Sequence, residues 1–222
     1  MISNPCCKHP TAAQVGYDIL GPVIRDNVIV NTKGPGIMVY GAADPSKVSL
    51  VARNFVAGSR TSSAIVVGGG PVIIRNNILT TSAEAGIGVE DYGRRGFLRG
   101  IVLANNSIYG NTLGGILIAA QGLLEMTIVN NAAQPRAGTP AFPSARAGVL
   151  SLGNTDCALL RCFVDPDQLD FTLLASHLGS VVAEPGVPVD DYFGRRRDSP
   201  PTAGAIEGAG QPILLGIKPG PR

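Results

Sequence analysis

The sequence predicts an all-β solenoid of about five to six parallel coils, and three observations carry that expectation. Asparagine-bearing turns recur as Arg25-Asp26-Asn27, Ala52-Arg53-Asn54, Arg75-Asn76-Asn77, Ala104-Asn105-Asn106 and Val129-Asn130-Asn131. Their last asparagines lie 27, 23, 29 and 25 residues apart, a period in the range of stacked structural repeats. Short apolar strands flank each turn, and none has the length or spacing of an amphipathic helix or leaves room for a crossover helix, which argues against a doubly wound α/β sheet.

Along the chain, residues 1–22 read as an irregular lead-in and 23–134 as the regular coils. One strand of each unit enters the Asn turn: Val48-Ser49-Leu50-Val51, Val72-Ile73-Ile74, Ile101-Val102-Leu103 and Met126-Thr127-Ile128-Val129. The other aligns as Gly36-Ile37-Met38-Val39-Tyr40, Ala64-Ile65-Val66-Val67-Gly68, Gly86-Ile87-Gly88-Val89-Glu90, Gly115-Ile116-Leu117-Ile118-Ala119 and Gly148-Val149-Leu150-Ser151-Leu152. Its second and fourth members are mostly β-branched and belong inside. Gly or Ala precedes each of these strands, where the chain must turn tightly. Residues 134–146 form a Pro/Ala/Gly-rich insertion expected to protrude, 147–152 one more strand, and 208–222 a Gly/Pro-rich tail.

A left-handed helix of hexapeptide units repeats at about 18 residues per coil, too short for this period. Unequal coils near 25 residues suit a right-handed parallel β-helix, in which stacked asparagine amides pair from coil to coil instead of being buried unsatisfied. Repeats of the form Ile-x-Asn-Asn-x-Ile followed by Gly-Ile-x-Val resemble the right-handed parallel β-helix repeat proteins of the pectate-lyase-like superfamily. The stretch Asp190-Asp191-Tyr192-Phe193-Gly194-Arg195-Arg196-Arg197 with Ala203-Gly204-Ala205-Ile206-Glu207 is similar to the closing segment of exported members. The resemblance spans roughly residues 20–207 and implies a β-helix over 23–207, a C-terminal part of such a protein, and an extracellular or cell-surface location. The start Met1-Ile2-Ser3-Asn4-Pro5-Cys6-Cys7-Lys8-His9-Pro10 lacks the basic and apolar regions of a signal peptide.

Composition fits this architecture. The chain has 222 residues, 29 of them Gly and none Trp, so it turns often and packs small side chains in one domain's length. Eighteen basic and 16 acidic residues give a net charge of +2, with no general pull toward nucleic acid, and no apolar run approaches the ~20 residues of a membrane helix. Cys6 and Cys7 are adjacent and Cys157 and Cys162 five apart, spacings unlike a zinc ribbon; the second pair is either a disulfide across a turn or two free thiols.

Chemistry is expected on the outward side of the aligned strand. The charged cluster Glu90, Asp91, Tyr92, Arg94 and Arg95 has the residue types of a glycan site: guanidiniums for a substrate carboxylate, a phenol as acid or base, and paired carboxylates for proton transfer or a Ca²⁺ ion. The alternative is a solvated turn whose charges pair with one another. Arg25, Arg53 and Arg75 read as exposed turn residues, His177 as a structural histidine, Asp165 and Asp167 as a turn about Pro166, and Gly68-Gly69-Gly70 as a coil corner.

Two functions follow. The favoured one is a non-catalytic β-helix of a surface or exported protein, binding glycan or serving as scaffold without a cofactor. The other is a polysaccharide lyase, with Ca²⁺, or a glycoside hydrolase acting on a polyuronate or another plant or bacterial glycan. The outward residues Met38, Val66, Leu117, Leu150 and Leu152 predict an apolar stripe needing cover from the tail with Ile213, Leu214 and Leu215, from the lead-in, or from a second copy of the chain.

Overall fold

The structure, a computed structural model, describes residues 11–15, 19–41, 44, 46–92, 97–174 and 187–208. Three parallel sheets form a β-solenoid, and each coil visits them in the same order. The first sheet stacks Ala13–Val15, Ile37–Val39, Ile65–Val67, Ala85–Val89 and Gly114–Ile118. The second stacks Val23–Arg25, Ser49–Ala52, Val72–Arg75, Ile101–Ala104, Met126–Val129 and Val149–Leu152. The third stacks Val28–Val30, Phe55–Ala57, Ile78–Thr80, Ser107–Tyr109, Ala132–Gln134 and Thr155–Asp156.

The Asn turns join the second sheet to the third in two residues each. The first of the two takes the left-handed conformation, with φ of 62° at Asp26, 54° at Arg53, 53° at Asn76, 51° at Asn105, 54° at Asn130 and 61° at Gly153. Asn, Asp and Gly tolerate that region, whereas a long side chain is strained there. Arg53 is the exception, held by bonds from Nε and Nη2 to the two oxygens of Asp26, both 2.9 Å.

The second residue is the rung of a ladder. Each asparagine donates its backbone N–H and its Nδ2 to the Oδ1 of the asparagine one coil on, from Asn27 through Asn54, Asn77, Asn106 and Asn131 to Asn154, at 2.9–3.1 Å. The second Nδ2 hydrogen of Asn54, Asn77, Asn106, Asn131 and Asn154 goes to a carbonyl of the preceding coil's strand, such as Val51 for Asn77. No amide group in the buried rungs is wasted, the condition for burying a polar column in an apolar solenoid.

Inside, columns such as Ile37, Ile65, Ile87 and Ile116 run up the first sheet in register and are buried. The small residue before each of these strands has a steric cause: a Cβ on Gly36 would lie 2.3 Å from Val56 Cγ1, and one on Gly86 2.4 Å from Ile108 Cγ2. The backbone therefore passes directly over side chains of the third sheet.

Three expectations are corrected. Val149–Leu152 pairs with Met126–Val129 in the second sheet, not with the first-sheet strands, and leads into the sixth rung at Asn154. The insertion 134–146 does not simply protrude: Gly115 and Ile116 donate N–H to the carbonyls of Pro140 and Ala141, both at 3.0 Å, and Ala141 is buried. The expected apolar stripe also dissolves. Met38 and Val66 are buried with Tyr40 beneath Tyr92, while Leu150 and Leu152 belong to the second sheet. An outward apolar column instead runs along the second sheet through Val23, Leu50, Ile73, Val102 and Leu150, interrupted by Thr127.

The closing segment covers the outer side of the third sheet. Phe163, Phe171, Leu173, Tyr192, Ala203, Ala205 and Ile206 pack there on Phe55, Ile78 and Ala132. A buried Cys157–Cys162 disulfide ties the last coil to this layer. Asp190 then reaches back 137 residues to Arg53, at 3.0 Å, and also pairs with Arg75. Those two arginines are thus not free turn residues, although Arg25 is exposed.

Burial pushes the Asp190 carboxyl upward, but Arg75 and Arg53 together outweigh it and hold the group below its ordinary value. A depressed carboxylate contributes stability above its unfolded value that is lost as pH falls through the folded one. Proteolysis of residues 187–208 should therefore accelerate below about pH 4, the ordinary carboxylate range, and Asp190→Asn should cleave readily at neutral pH with a smaller further increase in acid. Equal acid sensitivity of parent and variant would count against this clamp.

Candidate functional site

Glu90, Asp91 and Tyr92 follow directly on Ala85–Val89, the fourth strand of the first sheet. Strand alternation turns Val89 inward and Glu90 outward. Two residues on, the Tyr92 ring lies in a slot left by Gly68, where a Cβ would be 2.8 Å from Tyr92 Cδ2 and 3.2 Å from Tyr40 Cδ1. The two tyrosines meet edge to face at 5.4 Å. Tyr92 Oη donates to Glu90 Oε2 at 2.6 Å, a short charge-assisted bond that fixes both side chains.

Gly88 forms the floor beside this pair. A Cβ there would lie 2.7 Å from Ser63 Oγ and 3.5 Å from Glu90 Oε1. Ser63 Oγ in turn donates to Glu84 Oε2 at 3.4 Å and accepts the Ala85 N–H at 3.3 Å. Glu90 thus reaches Gly88 directly, and Glu84 is linked to the same floor through Ser63.

Of the five residues singled out in sequence, Glu90 and Tyr92 are in direct contact. Asp91 is exposed and turns toward the next coil, 3.6 Å from where a Cβ of Gly122 would stand. Arg94 and Arg95 lie outside the described residues, as do Cys6, Cys7, His9, His177 and the tail from 209 onward. Tyr40, Ser63 and Glu84 were not anticipated as members of this cluster. Tyr40 and Ser63 arrive from coils 50 and 27 positions before Glu90, and only their register could have shown them, whereas Glu84 stands in the same coil just before Ala85–Val89.

Burial first, and then the bond to Glu90, push the Tyr92 phenol well above its ordinary value. It therefore stays protonated at neutral pH, where it donates a hydrogen bond and cannot accept a proton as a base. Among the described residues no three His, Cys, Asp or Glu side chains converge on a position for a metal ion. Asp165 Oδ1 accepts the N–H of Gln168 across the Pro166–Gln168 turn, which fits its reading as a turn residue. No helix of the described residues is long and apolar enough to cross a membrane.

Parallel coils, a buried amide ladder and an outward polar cluster on one sheet define a β-solenoid repeat protein. The family model described as "right handed beta helix region" matches residues 12–162, well over half of the chain, and the chain belongs to that family. No curated protein and no solved structure matches it.

Proposed function

We propose that this chain is a non-catalytic β-helix domain that binds glycan across the outer surface of its first sheet. The observation that carries the reading is the Glu90–Tyr92 pair, locked against Tyr40 and set beside the glycine floor at Gly88. Carboxylate oxygens accept hydrogen bonds from sugar hydroxyls, and a held aromatic ring offers an apolar edge without much further loss of side-chain freedom. The phenol's raised pKa speaks against a role as base, and the described charges around Gly88 are acidic. Both favour a neutral glycan over a polyuronate. The buried Cys157–Cys162 disulfide supports an oxidising location outside the cytosol.

Titration calorimetry against neutral plant and bacterial glycans should show binding that weakens about tenfold in Tyr92→Phe, the loss of one hydrogen bond to a charged group at roughly 1.5 kcal/mol. Pectate and alginate should bind less well than neutral chains. Failure of every glycan to bind would leave a scaffold in place of a binding module. The carboxylates of Glu90, beside Gly88, and of Glu84, bonded to Ser63 on the same floor, favour a glycoside hydrolase as the second reading. New reducing ends that vanish in both Glu84→Gln and Glu90→Gln would establish it and displace the binding reading.

A further inference from the structure

The two ends of the solenoid differ, and each presents a surface the other can use. At the N-terminal end the first coil forms an open mouth lined by Ala13, Ile24 and Ile29. The residues one coil further in that correspond to Ile24 and Ile29, Val51 and Val56, are fully buried. Among the described residues nothing stands on this coil. Asn27 Oδ1 likewise meets no donor there, whereas every other ladder oxygen accepts two.

At the opposite end the last coil is closed by the turn that follows Thr155–Asp156. Ala158 packs down onto the interior, the Leu160 N–H bonds to the Cys157 carbonyl at 3.3 Å, and the Cys157–Cys162 disulfide pins both sides of the turn. At its apex stand Leu159, 93% exposed, and Leu160, 59% exposed. Two adjacent leucines held out on a disulfide-pinned turn are an apolar projection without a partner among the described residues.

We infer that the chain associates head to tail with a second copy of itself, the Leu159–Leu160 turn of one copy seating in the N-terminal mouth of the next. The ladder's direction supports this over a two-fold arrangement. Its oxygens face the N-terminal end and its donors the C-terminal end, so two mouths face to face would oppose acceptor to acceptor. The contact is heterologous: an assembly of any length keeps one free mouth at one end and one free turn at the other, and growth does not close on itself.

Sedimentation velocity with the full chain should show a weight-average mass that rises with concentration and does not level off at a dimer. The double variant Leu159→Asp with Leu160→Asp, at the exposed turn, and separately Ile24→Asp, at the rim of the mouth, should each remain monomeric with circular dichroism unchanged. Mixed together, these variants retain one intact mouth and one intact turn between them, and should form a one-to-one dimer and nothing larger. A parent chain that stays monomeric, a variant that associates as the parent does, or a mixture that fails to pair would each overturn the inference. The readout involves no glycan, so its outcome is independent of the binding proposal.

Discussion

Arg197→Met should destabilise the protein by about 3–5 kcal/mol, the usual consequence of stranding one half of a buried ion pair. The Arg197 and Glu207 side chains are 2% and 6% exposed and meet at 2.8 Å. The same guanidinium donates to Asn76 Oδ1 at 2.9 Å and to the carbonyls of Asp190, Thr202 and Gly204. Burial draws its pKa down and Glu207 opposes that, so removal of either partner strands the other. Because Asn76 belongs to an Asn turn, the pair rivets the closing segment to the coils. Unfolding by urea should show the loss, and hydrogen exchange should place the earliest opening in residues 187–207. Combining Arg197→Met with Glu207→Leu should recover a large part of the stability, since no buried charge is then unpaired. Equal stability of parent and single variant would show that the pair holds nothing.

Asn77→Leu is expected to cost a similar amount, roughly 2–6 kcal/mol. Asn77 Oδ1 accepts both the backbone N–H and one Nδ2 hydrogen of Asn54, which is fully buried. Two orphaned buried donors at about 1–3 kcal/mol each give that range. The variant also deprives the Val51 and Arg75 carbonyls of their Nδ2 donor, while its own backbone N–H still serves Asn106. For a domain of this size each kcal/mol lowers Tm by about 2–4 °C, so calorimetry should record a drop of several degrees at the least. Asn27→Leu, at the exposed end of the same ladder, should change Tm far less. Equal effects at the two positions would mean that burial of the rung is not what matters.

Most of the solenoid was legible because its chemistry repeats locally. Each rung, its left-handed predecessor and the strands beside them fall within about eight residues, and the pattern recurs. The sixth rung escaped notice because Gly153 stands where earlier turns carry Asp, Arg or Asn; glycine satisfies the same backbone requirement. Without that rung, Val149–Leu152 looked like a first-sheet strand, since Gly-Val-Leu-Ser-Leu alternates equally well on either sheet. The closing motif was recognisable as a pattern, yet its purpose was hidden: Asp190 finds Arg53 and Arg75 over more than a hundred residues, and no spacing rule reaches so far. The polar cluster was half legible for the same reason. Glu90 and Tyr92 are neighbours in sequence, whereas Tyr40 and Ser63 are brought in by coil register, and Glu84, six residues before Glu90, joins through Ser63.

The Asn corner is two residues long in all six coils, from Asp26-Asn27 to Gly153-Asn154, while the passage from the first sheet to the second shrinks to 68–71 in one coil and swells to 90–100 in another. The molecule is bound like a book, with a stitched spine along one corner and a fore-edge left uncut. An extra residue inserted at the spine would throw every rung above it out of step with those below. The same residue added at the fore-edge changes only one page, and Tyr92 lies on that edge. Variation in such a chain is thereby channelled to the margin where a ligand would meet it, and the stitching leaves the rest of the volume unaffected.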